Sequence, residues 1–113
     1  MSSHLSVGIS KRGRTAVVVV AGELDIASAP VLQDAIERAR QEGAGDVVVD
    51  LADLAFMDVG GLRVLIRADR RAEQAGGRLT LANVRGEPRR LLTLTGAIEI
   101  LKIGELPAEP DAR

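Results

Sequence analysis

The sequence predicts one α/β domain: a mixed sheet of four to five strands, antiparallel at its start and parallel later, flanked by three to four helices. Three observations carry this expectation. Two β-patterned stretches, residues 5–10 and 15–21, are joined by a connection so short that they must form an antiparallel hairpin. A short β-branched run, Val47-Val48-Val49-Asp50-Leu51, reads as a strand covered on both faces. Beyond it the apolar period changes from that of a strand to that of a helix, and the two patterns alternate along the rest of the chain.

Leu5-Ser6-Val7-Gly8-Ile9-Ser10 alternates apolar and polar side chains, as an edge strand with one wet face does. Lys11-Arg12-Gly13-Arg14 is the turn, and residues 15–21 form a fully apolar second strand that Gly22-Glu23-Leu24-Asp25 ends. Ser28 suits a helix N-cap and Pro30 the first turn, where its missing N–H costs nothing. Leu32, Ala35, Ile36 and Ala39 give that helix a buried stripe, and Gly43 to Gly45 stop it. The run at 47–51 follows, then a polar loop, then Phe56-Met57-Asp58-Val59-Gly60-Gly61-Leu62 at the start of a second helix. Leu62, Leu65, Ile66, Asp69 and Ala72 keep helical spacing, with Arg63, Arg67, Arg70 and Arg71 mostly outward, and Gly76-Gly77 close the helix. Residues 78–82 are the next strand, Pro88 opens a third helix through Leu91, Leu92 and Leu94, and Gly96 caps it. Ile98, Ile100, Leu101 and Ile103 predict a last short strand before a polar tail. The domain is expected over residues 5–103, with flexible termini at 1–4 and 104–113.

Composition narrows the chemistry. The 113 residues are enough for one hydrophobic core. The 15 basic and 16 acidic residues nearly cancel, so no general attraction to nucleic acid or an anionic membrane follows. Without cysteine there is no disulfide or thiolate chemistry. One Phe, with no Tyr or Trp, leaves no aromatic platform for stacking bases. The one histidine, His4, stands near the terminus and lacks the rigid partners that a metal site or a His-based triad needs. No stretch approaches the roughly 20 apolar residues of a membrane span, and no signal-peptide core is present, so a cytoplasmic protein without membrane insertion is expected.

Three constellations remain. Asp58, before a helix, is a good N-cap, and Gly60 and Gly61 let another backbone come close; the same helix start also offers N–H groups to an anion. The Lys and Ser/Thr of a phosphate loop are missing there. The carboxylates Glu23, Asp25, Asp50, Asp53 and Asp58 permit a Mg²⁺ site or a phospho-receiver, with Asp25 and Asp58 gathered on one sheet edge, but Lys102 is the only late lysine and the chain opens on a hairpin. The arginines of the second helix read either as a solvated face or as a surface for a partner protein. No nucleophile and base stand in a credible arrangement, so neither enzyme, cofactor nor metal is expected.

The order of several motifs then matters. Gly22-Glu23-Leu24-Asp25 with Ala29-Pro30, Val48-Val49-Asp50-Leu51, Phe56-Met57-Asp58 with Gly61-Leu62, and Leu94-Thr95-Gly96 together resemble the STAS domain of anti-sigma factor antagonists, over roughly residues 5–103. The resemblance implies a mixed sheet flanked by helices and a function in partner switching. Such an antagonist binds an anti-sigma factor, an ATP-dependent serine kinase of GHKL-type fold, and so frees a sigma factor for RNA polymerase. The kinase answers by phosphorylating a serine immediately after the motif Asp.

This chain departs from the family at that residue. Where the family has Asp-Ser-Ser-Gly or Asp-Ser-Thr-Gly, it has Asp58-Val59-Gly60-Gly61, and Val59 has no hydroxyl to esterify. Ser28, Thr93 and Thr95 have structural explanations as cap or helix-end residues, so no phosphosite is expected at any of them. The expected docking surface is Asp25, Asp58, Val59, Gly60 and Gly61 with Arg63 and Arg67, on a monomer or weak dimer that makes no direct contact with nucleic acid. A second reading keeps the fold and makes the chain a STAS subunit supporting a membrane lipid-transport ATPase.

Overall fold

The structure, a computed structural model, describes residues 4–108. Its elements are β1 (Leu5–Arg12), β2 (Thr15–Leu24), α1 (Ala29–Gln41), β3 (Asp46–Met57), α2 (Val59–Gln74), β4 (Arg78–Ala82), α3 (Gly86–Thr95), a 3₁₀ turn (Ala97–Glu99) and β5 (Lys102–Gly104). The five strands lie side by side in chain order, with β1 and β2 antiparallel and every later pair parallel. This is the mixed α/β sheet that the hairpin and the alternating periods predict.

Rows of side chains in register make the core. Ala16, Val47 and Leu79 stand beside one another, as do Val18, Val49 and Leu81, and all six are buried. Leu32, Ala35, Ile36 and Ala39 of α1 and Leu62, Leu65 and Ala72 of α2 join the same cluster. Val17 and Val48, between those rows, and Ala82, one step beyond the second, are buried too, so the middle strands are covered on both faces. On β1 the alternation leaves Ser6, Gly8 and Ser10 in water, while Leu5, Val7 and Ile9 pack against the core. Among the described residues, no helix is long and apolar enough to cross a membrane.

Four elements differ from expectation. β2 continues to Leu24, and β3 runs on to Met57 through the stretch expected to be a polar loop. Register shifts between Val19 and Ala21 and between Gly22 and Glu23 insert extra residues into β3, and such bulges hide a strand's period. Asp50, the one charged residue of the run expected to be a strand, is accommodated because its carboxylate turns inward to accept the Ala52 N–H at 3.0 Å and the Asn83 side-chain amide at 2.9 Å. α3 starts two residues before Pro88, which sits in the first helical turn where no N–H is required. The last strand is only residues 102–104; Ala97 and Leu101 are buried four apart, the period of a helical turn. Gly104, expected in the flexible end, closes β5, and Arg12 donates to the Pro107 carbonyl at 2.7 Å. Residues 1–3 and 109–113 lie outside the described residues.

β5 is fastened to α2 by charge. Lys102 Nζ lies 3.0 Å from Asp69, which is buried on α2, and 2.7 Å from Glu73 one turn on. The hydrogen bond from Lys102 and its charge hold the Glu73 carboxyl below its ordinary 4.5, and the hydrogen bonds to Glu73 and Asp69 raise the Lys102 ammonium above 10.5. A depressed carboxyl stabilises the fold above its unfolded value, and that contribution is lost as pH falls through its folded value. A raised lysine stabilises below its unfolded value and loses the contribution only as pH rises through the folded one. Lys102→Met is therefore expected to unfold at a lower temperature than the parent at pH 7, because Asp69 is left buried without its cation. The two are expected to converge as the pH falls well below 4.5. Thermal melts across pH 3–8 check this, and a gap that persists at the acid end contradicts it.

Candidate docking corner

The corner forms where two neighbouring parallel strands end together. Leu24 of β2 is in register with Met57 of β3, so Asp25 and Asp58 leave the sheet at the same edge. A backbone bond ties them, Asp58 N–H donating to Leu24 O at 3.1 Å. The two aspartates are thus brought to one place, yet each carboxylate serves its own loop.

Asp58 is extended, and its carboxylate accepts the Gly61 N–H at 3.1 Å, satisfying one of the helix-start donors that have no intrahelical acceptor. The capping role expected of it is what it performs. Asp25 works likewise for the turn that leads into α1: its Oδ1 accepts the N–H groups of Ala27 and Ser28, each at 3.0 Å. Ser28 occupies the cap position of α1 but makes no cap bond. Its buried hydroxyl instead accepts the Asp25 N–H at 2.9 Å and donates to Glu23 O at 2.8 Å, closing the loop.

The two glycines set how closely the loops meet. A Cβ on Gly60 would stand 2.8 Å from the Ile26 Cβ, and one on Gly61 would stand 2.6 Å from both the Leu24 Cγ and the Leu24 carbonyl oxygen. The backbone they admit is the chain's own. Gly61 is buried, so it supports the corner from beneath and is not part of its surface.

Above this floor the corner is apolar and open. Val59 is 51% exposed and Ile26, beside Gly60, is 78% exposed. Phe56, opposite Glu23 in the strand register, is also exposed. Sequence reasoning missed Ile26 and gave Phe56 no role; the signal for Ile26 was a large apolar residue inside the polar turn Asp25-Ile26-Ala27-Ser28, with no helical stripe to join.

α2 leads away from the corner with Arg63, Arg67, Arg70 and Arg71 exposed, and no ion pair engages them among the described residues. The acids that interrupt them in sequence, Asp69 and Glu73, point to Lys102. Between α1 and α2 the groove edged by Arg40, Arg67 and Arg71 holds only about 10 Å³, room for no more than a water. A small ligand does not fit there. The carboxylates Glu23, Asp25, Asp50, Asp53 and Asp58 do not converge, and no cluster of three metal-ligating side chains occurs among the described residues.

Comparison with known proteins gives this geometry a lineage. The family profile described as "Mlab, STAS domain" matches residues 7–102. The chain belongs to the STAS-domain family of anti-sigma factor antagonists. The STAS domain is 32% identical over 100 residues to the anti-sigma-B factor antagonist of Bacillus subtilis, covering 88% of this chain and 91% of that one. Its fold matches the crystal structure of an anti-sigma factor antagonist from Mycobacterium paratuberculosis with a TM-score of 0.78 at 24% identity, over 88% of this chain and 85% of the other. It also matches the Bacillus cell fate determinant SpoIIAA in its phosphorylated form, TM-score 0.68 at 23% identity, over 88% and 91% of the two chains. Members of this STAS family act as regulatory binding proteins, which accords with a site made of caps, close backbone contacts and exposed apolar side chains.

Proposed function

We propose that this STAS domain is an anti-sigma factor antagonist that grips an anti-sigma factor of GHKL-type serine-kinase fold through the corner and so releases a sigma factor. The docking surface is Asp25, Asp58, Val59 and Gly60, continued by Arg63 and Arg67 along α2 and supported from below by Gly61. Ile26 is added to it. The observation that carries the proposal is the exposed Val59 on a tightly capped helix start, in a chain whose relatives are named anti-sigma factor antagonists. Small apolar side chains fixed on a rigid floor lose little entropy on docking, and the arginines beside them, which no ion pair engages among the described residues, suit a partner's carboxylates.

Val59 also sets the regulation. With no oxygen on its side chain, it forms no phosphoester, so the kinase-driven release is absent at this residue and the antagonist stays competent while ATP is present. Control then lies in abundance or in another partner.

Affinity capture from the source cell tests the reading. A GHKL-type serine kinase is expected to be recovered, and incubation of the chain with that kinase and ATP is expected to leave its intact mass unchanged. A stoichiometric gain of one phosphate overturns the regulatory half. Recovery of a transport ATPase in place of the kinase favours the lipid-transport reading, which Val59 also suits because that role requires no hydroxyl there.

A further inference from the structure

The two edges of the sheet are treated differently. β5 is only three residues long, which blunts its edge. β1 is eight residues long, contains no proline, and pairs with β2 without a register shift. Proteins guard such a strand with prolines, bulges, brevity or charges on the edge. The one lysine of β1, Lys11, is drawn onto the end of α1, where its ammonium donates to the Glu42 carbonyl. Among the described residues, the long edge is therefore unguarded.

The hydrogen-bond phase of β1 shows which groups face outward. Glu23 N–H donates to His4 O, and the register continues from Leu5 opposite Gly22. In an antiparallel pair the bonded residues alternate, so His4, Ser6, Gly8, Ser10 and Arg12 address β2. Leu5, Val7, Ile9 and Lys11 turn their N–H and C=O groups to the free edge. Their side chains lie on the face where α1 packs, and beside them runs a groove of about 590 Å³ lined by Val7 and Ile9, with Val31 of α1 46% exposed.

We propose that this edge pairs antiparallel with β1 of a second copy of the chain, about a two-fold axis at Gly8. In that register Val7 faces Ile9 of the other copy and Leu5 faces Lys11, so outward groups meet outward groups in roughly eight backbone hydrogen bonds. Lys11 and Arg12 fall opposite Leu5 and His4, which keeps like charges apart. The groove carries Lys11 and Arg38 against Asp34 and Glu42, two charges of each sign. This balance gives no hold on a strongly acidic or basic segment and suits a partner with the same balance, namely another copy. The interface is isologous and extends five strands to ten. It is independent of the corner at Val59.

Sedimentation or light scattering over a concentration series is expected to show the mass rising from one chain to two. Val7→Pro removes an N–H that is unbonded in the single chain, at a position where an edge tolerates proline, and is expected to weaken association at least tenfold. Gly8→Cys decides the matter independently of how that variant folds. The chain has no other cysteine, and a Cβ at Gly8 meets nothing within 4 Å. The axis brings the two Cα atoms to about 4.5 Å, a non-bonded pair within disulfide reach. Gly8→Cys is expected to oxidise to a covalent dimer much faster than Ser10→Cys, which faces Ser6 in this register. A mass that stays at one chain, or crosslinking of Gly8→Cys no faster than of Ser10→Cys, overturns the proposal and leaves the edge to an extended segment of another protein.

Discussion

Gly61→Ala is expected to lower the unfolding midpoint by roughly 10 °C, the largest loss of any single methyl added at the corner. Its Cβ would stand 2.6 Å from the carbonyl oxygen of Leu24, a residue with no exposed surface, and that oxygen is the acceptor for the Asp58 N–H. Neither atom can yield alone. Relieving the contact means lifting the first turn of α2 off the end of β2, which loses the 3.1 Å bond between the strand ends and loosens the apolar packing under it. Overpacking of this kind costs about 1–3 kcal/mol and the lost hydrogen bond about 1, while alanine's better helix propensity returns up to about 1. A net loss of about 2–3 kcal/mol corresponds to that shift for a domain of this size. Gly60→Ala is the contrast. Its Cβ would stand 2.8 Å from the Ile26 Cβ and 2.9 Å from the Ile26 Cα and N, so the backbone at Ile26 must shift as well; that residue is 78% exposed, with no packed layer above it to disturb, and a smaller stability loss of about 1–2 kcal/mol is expected. Binding at the corner is expected to suffer more than stability in that variant, because Ile26 is displaced. Thermal melts of the two variants separate the roles, and a Gly61→Ala protein as stable as the parent refutes the account of the floor.

The same pair of glycines shows what was legible in the chain and what was not. That a strand hands over to a helix at Asp58, and that a backbone passes close to Gly60 and Gly61, follows from residue types with few other uses. Which backbone passes is a tertiary fact: it is residues 24–26, more than thirty positions earlier, and only the parallel pairing of β2 with β3 brings them there. The end of β3 was hidden for a local reason, since two bulges break the alternation by which strands are recognised, and Asp53 lies in the stretch expected to be a polar loop. Ser28 was placed correctly but given the wrong work. A serine before a helix is read as its cap, whereas the Ser28 hydroxyl holds the loop, and Asp25, three residues earlier, accepts the N–H groups of the turn leading into α1. The arginines of α2 read as outward and are; that Asp69 among them is buried against Lys102 depends on β5, which lies 33 residues on.

Val59→Ser is expected to convert a permanent grip into a switchable one. In the proposed function residue 59 takes the acceptor position; its side chain is half exposed at the first residue of α2, where a kinase docked on the corner would reach it. The variant is expected to bind the captured kinase within a few-fold of the parent, since serine differs from valine there by little more than the loss of a small apolar contact. With ATP it is expected to gain the mass of one phosphate and then dissociate. The phosphate adds about two negative charges. The helix start welcomes them, so the fold is not disturbed. In the complex, however, they must be buried against a surface shaped for a neutral side chain, and desolvating an unpaired charge outweighs the attraction of the helix end. Val59→Glu separates charge from chemistry: it needs no kinase activity, and it is expected to weaken the complex about a hundredfold, equivalent to nearly 3 kcal/mol. If Val59→Glu binds as the parent does, residue 59 lies outside the interface, and the missing hydroxyl says nothing about regulation. If Val59→Glu fails to bind but Val59→Ser is not phosphorylated, the corner is the interface and the partner does not act on it as a kinase. The two variants together therefore distinguish an antagonist that has lost its switch from a STAS domain whose partner never had one.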